Sequence, residues 1–115
     1  MEKVKAKDIA LDFAIEITKV CDTIKGRDVF IKQLLRSASS IGANLHEAQY
    51  AQSDLDLINK IEIALKECNE TEFWLKMLYK LGSISKTQYD KFVETCISLR
   101  RIMVASIKKI KLKMM

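Results

Sequence analysis

The sequence predicts an all-α protein, an antiparallel up-down-up-down four-helix bundle. Three observations carry that expectation. The 115 residues include no proline and only three glycines, so little interrupts a helix. Four stretches repeat apolar residues at steps of three and four, the period of one helical face. The breaks between them are short, so helices adjacent in sequence must run in opposite directions. Hydrophobic residues make up 49% and charged residues 30%, enough for one core under a solvated surface, and residues 1–115 read as a single domain. Nothing alternates with the period of a β-strand.

Helix 1 is expected at about 8–24, with Asp8 as N-cap and Ile9, Phe13, Ile17, Val20 and Ile24 on one face. Lys25 and Gly26 supply its stop. Helix 2, about 28–50, starts at Asp28 and buries Phe30, Leu34, Ala38, Ile41, Leu45 and Ala48. Its small residues, Ser37 through Ser40 with Gly42 and Ala43, let a neighbouring backbone come close. Helix 3, about 54–81, is capped by Ser53, carries Asp54 and Asp56 where carboxylates suit the helix dipole, and ends at Gly82. Leu57, Ile61, Ala64, Leu65, Cys68, Leu75 and Leu78 form its apolar face. Helix 4, about 86–111, has the clearest start: Ser85 and Gln88 make a capping box, and Ile84 and Tyr89 occupy the positions of a hydrophobic staple. Phe92, Cys96, Leu99, Met103, Ser106 and Ile110 form its inner face, and the tail LKMM is expected to fray.

Three helices carry more apolar residues than one core stripe requires. On helix 3, Ile63, Trp74, Met77 and Leu81 lie roughly 130° from the main face at 100° per residue. Leu11 and Ile15 on helix 1, and Val93, Ile97 and Val104 on helix 4, form comparable second stripes. Repeated off-face stripes point to a homo-oligomer; the alternative is a broad core.

Site chemistry is sparse. His46 is the only histidine, and Ala43 stands where a Glu-x-x-His di-iron motif needs glutamate. Cys21, Cys68 and Cys96 are widely spaced without CxxC, which fits buried reduced thiols and gives no support for zinc. No glycine-rich phosphate loop occurs. A helical ribonuclease of the HEPN type would need arginine and histidine five or six residues apart; Arg36 and His46 are ten apart, about 15 Å along an axis. No enzyme, cofactor or metal site is expected. Glu62, Glu67, Glu70 and Glu72 alternate with Lys60, Lys66 and Lys76; Glu62–Lys66 and Glu72–Lys76 read as i,i+4 pairs on a solvated face. No apolar run approaches a membrane span and the N-terminus shows no secretory block, so a cytoplasmic protein is expected.

Two motifs carry a family resemblance. Helix 2 holds Arg36, Ser40, Ile41, Asn44, Leu45, Glu47 and Ala48. Helix 3 holds Ile63-Ala64-Leu65-Lys66-Glu67, then Glu70-Thr71 and Phe73-Trp74-Leu75. Both are similar to the bacterial four-helix-bundle family of proteins encoded by intervening sequences in 23S rRNA genes, which includes the accessory variability protein of diversity-generating retroelements. Ala48 departs from the glycine many members have there. The resemblance implies a bundle assembling into a ring, a pentamer, without known catalysis. For the retroelement branch it further implies binding of nucleic acid and a reverse transcriptase.

The charge pattern makes nucleic acid the expected partner class. Residues 1–94 contain 14 basic and 15 acidic residues, whereas residues 95–115 contain six basic residues and no acid, which is where the net +5 arises. Arg100, Arg101, Lys108, Lys109, Lys111 and Lys113 are therefore the candidates for contacting RNA or DNA phosphates. Two other readings compete: a protein-binding adaptor using the Trp74 stripe, and a basic amphipathic helix at a membrane surface, against which the scarcity of aromatic residues in helix 4 counts.

Overall fold

A computed structural model describes residues 2–115, with side chains from Ala6 onward. It contains four helices: α1 (Glu2–Cys21), α2 (Asp28–Ala48), α3 (Asp54–Lys80) and α4 (Lys86–Met114). No strand occurs among the described residues. The backbones of neighbouring helices approach in the cyclic order α1, α2, α3, α4 and back to α1, while those of the diagonal pairs α1–α3 and α2–α4 stay apart across the shared core. The result is a square bundle measuring 49 × 21 × 19 Å. Cross-helix contacts fix the alternation of direction. Tyr79 stacks on Tyr89 at one end of α3 and α4, and Lys113 reaches Asp54 at the other. Likewise Phe30 meets Trp74 while Arg36 meets Glu67 between α2 and α3, and Lys7 reaches Gln49 while Ala10 lies against Gly42 between α1 and α2.

The core is the set of inner stripes. Ala6, Ala10, Phe13, Ile17 and Cys21 of α1 meet Leu34, Ala38, Ile41 and Leu45 of α2, Ile61, Ala64, Cys68, Leu75 and Leu78 of α3, and Phe92, Cys96, Leu99 and Met103 of α4. Several helix boundaries depart from the expected ones. α1 starts at Glu2, not Asp8, because the buried stripe continues upstream through Ala6; Asp8 lies inside the helix. It also ends at Cys21, so Ile24 belongs to the following turn, closed by Thr23 N–H to Val20 and Ile24 N–H to Cys21. α2 is capped not by Asp28 but by Arg27, a left-handed residue (φ 62°) that makes no side-chain cap bond; Gly26 before it is left-handed too, at φ 78°. Asp28 sits in the first turn, where its charge suits the dipole. α2 stops at Ala48, with Gln49 and Tyr50 in a turn, and α4 runs on to Met114 rather than fraying after residue 111.

The other caps form as expected. Ser53 accepts from Asp56 N–H, and Ser85 and Gln88 complete a reciprocal capping box. α3 ends in a Schellman turn, with Gly82 N–H bonded to Tyr79 C=O and Ser83 N–H to Leu78 C=O. This requires Gly82 at φ 78°, a conformation that costs an L-residue free energy.

Candidate functional site

Polar residues of α2 and α3 meet each other across the seam between the two helices. The Arg36 guanidinium bonds Glu67 at 3.2 Å and also Glu70, while its Nε donates to Gln33 at 3.2 Å. Glu70 accepts in addition from the Trp74 indole N–H at 3.1 Å. Beneath this clamp, the Thr71 and Ser37 hydroxyls lie 2.9 Å apart, both fully buried. A matching bridge joins α3 to α4: Arg100 bonds Asn69 at 3.1 Å and Glu72. Three of the four glutamates expected on a solvated face are thus interhelical, and Glu72 takes Arg100 in place of Lys76. Local i,i+4 spacing cannot register a guanidinium arriving from another helix.

That geometry divides the six cation candidates of α4. Arg100 is half-buried and committed to Glu72, so it is removed from the phosphate-binding set. Lys113 pairs with Asp54 at 3.4 Å, with both side chains well exposed. Arg101, Lys108, Lys109 and Lys111 are exposed and have no acidic partner among the described residues. Lys108, Lys109, Lys111 and Lys113 cluster at the end of the bundle where α4 finishes and α3 begins.

The apolar candidates also separate. Leu11, Ile15, Ile63, Leu81, Ile97 and Val104 are exposed. Met77 and Val93 are half-buried. Trp74, the residue given most weight from sequence, is half-buried against the core: it stacks on Phe30 of α2 at 6.1 Å and meets Phe73 edge-on at 4.9 Å. The wheel angle alone made it look free because the reach of α2 over α3 is not a property of α3. Sequence reasoning passed over Phe73, which is 56% exposed; its place beside Trp74 in a run that is otherwise amphipathic was the available signal.

Two grooves accompany these residues. One, of about 520 Å³, runs between α1 and α2, with Leu11 at its rim, small residues such as Gly42 and Ala43 beneath, and Asp8, His46 and Glu47 toward one end. The other, about 460 Å³ and shallow, follows the outside of α4 between Ile97, Arg101, Val104 and Lys108.

His46 is exposed; its Nδ1 lies 3.1 Å from the Gln49 amide and its ring meets Tyr50 edge-on. Arg36, tied to α3, is not brought to it. The three cysteines are buried and unpaired. Burial, helped by the Asp22 carboxylate, pushes the Cys21 thiol up to about 11. Cys68 Sγ donates to the Cys96 carbonyl at 3.5 Å, and hydrogen bonding with Cys68 together with burial pushes the Cys96 thiol up. Among the described residues no three His, Cys, Asp or Glu side chains gather as a metal site, and no helix is long and apolar enough to cross a membrane.

Comparison with known proteins bears on these surfaces. The sequence model of the family described as 23S rRNA-intervening sequence protein matches residues 2–105. Among solved structures, the chain is similar to a protein of unknown function from the S23 ribosomal protein family of Bacteroides thetaiotaomicron, with a TM-score of 0.88 and 40% identity over 94% of this chain and 99% of that one. No curated protein matches.

Proposed function

The chain belongs to the 23S rRNA-intervening sequence protein family, and from that premise we propose that it is a non-enzymatic bundle that assembles into a closed ring and binds RNA or DNA through the end of α4. The observation that carries the nucleic-acid reading is the charge at that end: Lys108, Lys109 and Lys111 project beside Lys113 without an acidic partner among the described residues. Lysines presented this way contact phosphates as point charges and read no base sequence. One chain offers few such contacts. A ring repeats them, and avidity rises where one strand spans several copies. A ring also gives a role to the exposed apolar residues on both sides of the bundle, Leu11 and Ile15 on α1 and Ile97 and Val104 on α4. A reverse transcriptase is a further partner compatible with this reading.

The test is binding of RNA and DNA as a function of salt. Each neutralised phosphate contributes about −0.9 to the slope of log K against log salt on duplex DNA, and about −0.7 on a single strand. The parent should bind both polymers at low salt with little sequence preference. Changing Lys108, Lys109 and Lys111 together to Gln should flatten the slope and leave the helix content unchanged. If the triple variant binds as tightly as the parent at low salt, the site is elsewhere. If the parent binds neither polymer, a protein-binding adaptor replaces this reading.

A further inference from the structure

We infer that Cys68 and Cys96 are an oxidisable pair: peroxide converts Cys68 first, and the two sulfurs then close a disulfide that staples α3 to α4. The inference is independent of the ring and of polyanion binding.

The two residues belong to different helices and meet across the α3–α4 seam. Cys68 Sγ lies 3.5 Å from the Cys96 carbonyl oxygen, and the two thiols hydrogen-bond to each other. Both are fully buried and both are reduced. A disulfide needs two backbones already close and side chains that point at one another, and thiols in mutual contact meet that need. The register is pinned from outside. Arg100, one turn beyond Cys96, bonds Asn69 and Glu72, and Glu72 stands one turn beyond Cys68. Burial as small hydrophobes would not by itself bring two sulfurs together. Cys21 shows the contrast: it is buried at the end of α1, and no second thiol bonds it among the described residues.

The surroundings give the two sulfurs different parts. The thiolate is the form that attacks an oxidant. The hydrogen bond from Cys96, with the Arg100 guanidinium, holds the Cys68 thiol below its usual range against burial and Glu72. The same hydrogen bond and burial push the Cys96 thiol up. Cys68 is therefore the attacking sulfur and Cys96 the resolving one. The Cys68 thiolate takes one oxygen of hydrogen peroxide; the O–O bond breaks, and the released hydroxide leaves as water with the proton Cys68 gave up. Cys68 is then a sulfenic acid. The Cys96 sulfur attacks it, the S–O bond breaks, and the hydroxide leaves as water with the Cys96 proton. Two thiols and one peroxide become one disulfide and two waters. Peroxide is small enough to reach the pair when the seam opens locally.

Thiol mapping of the folded parent chain tests this. The protein is treated with hydrogen peroxide, quenched, alkylated in denaturant and analysed by mass spectrometry. Alkylatable thiols should fall from three to one per chain, with Cys21 the one that remains. The chain should lose the mass of two hydrogens, and digestion should give one linked peptide pair, Cys68 with Cys96 of the same chain. Dithiothreitol should restore all three thiols. The link joins positions 28 apart and restricts the unfolded chain, so the urea midpoint should rise on oxidation and return on reduction. With dimedone present, Cys96→Ala should trap an adduct on Cys68, whereas Cys68→Ala should leave Cys96 unmodified; circular dichroism checks that each variant folds. The parent alone decides the pairing if a variant does not fold. Three thiols surviving peroxide overturn the inference. So do a link through Cys21 or between chains, a midpoint that falls on oxidation, and an adduct on Cys96 in place of Cys68.

Discussion

The structure assigns opposite effects to one substitution at two glycines. Gly42 lies inside α2 where it faces α1, among the small residues expected to let a neighbouring backbone come close. A Cβ built on Gly42 would sit 3.6 Å from Ala10 Cβ and 3.7 Å from the nearest α1 backbone atoms, ordinary van der Waals contact. A methyl group therefore fits. Alanine is favoured over glycine in a helix interior by about 0.8–1 kcal/mol, so Gly42→Ala should stabilise the fold by about 1 kcal/mol and raise Tm by about 4 °C. Gly82 is the reverse case. Open space surrounds its Cβ position, yet φ is 78° and the Schellman turn holds it there. A left-handed L-residue costs about 1–2 kcal/mol, only partly offset by the reduced freedom of the unfolded chain, so Gly82→Ala should destabilise by about 1 kcal/mol. Urea denaturation of both variants at several chain concentrations separates folding from self-association. If Gly42→Ala lowers the concentration-independent stability, α1 and α2 are closer than described and steric exclusion, not conformational freedom, explains the glycine.

Two more outcomes follow from buried groups. Trp74→Glu should destabilise the single chain, by about 2 kcal/mol, because it removes the stack on Phe30 and the bond to Glu70 and sets a new carboxylate near an existing one; urea denaturation at several chain concentrations with and without the change checks this, and equal stability would return Trp74 to the list of free surface residues. The raised Cys21 thiol makes stability pH-dependent in a defined direction. The folded state holds this proton more tightly than the unfolded one, so its contribution is complete below the unfolded value of 9.0 and is lost as pH rises through about 11. Denaturation between pH 8 and 11, compared with Cys21→Ala, should show a smaller loss of stability in the variant.

Much of the fold was legible because its determinants are local. Capping boxes, glycine stops and the three-four spacing each act within a turn or two, and Ser53, Ser85, Gln88 and Gly82 do what their positions imply. The misplacement of α1 has the same origin: Asp8 is a good cap in isolation, and only the burial of Ala6 against other helices shows that the stripe continues past it. The candidate site was less legible because it depends on pairings across the bundle. Charge counting found the basic helix, but could not tell that Arg100 is spent on Glu72 while Arg101, one residue on, is not. Wheel angles located second stripes, but could not tell that α2 covers Trp74 and leaves Phe73 open.

The residues that identify the family are largely the ones that hold its helices together. Arg36, Glu67, Glu70, Thr71 and Trp74 form one clamp between α2 and α3. The buried part of this network, Thr71 with Ser37, has little tolerance for change, since removing one partner strands the other. Shared motifs of that sort testify to a shared architecture and leave the outward surfaces free to differ. The likeness to the Bacteroides thetaiotaomicron protein has the same content: a TM-score of 0.88 at 40% identity fixes how the backbone runs, and that protein is itself of unknown function. What this chain does must therefore be sought on the residues the clamp does not use. Those are the shallow groove beside Arg101, the groove beside Leu11, and the lysines at the end of α4. Because Leu11 lies on α1 and Lys109 and Lys111 at the end of α4, variants at Leu11 and at these lysines report on the α1–α2 groove and on polyanion binding separately.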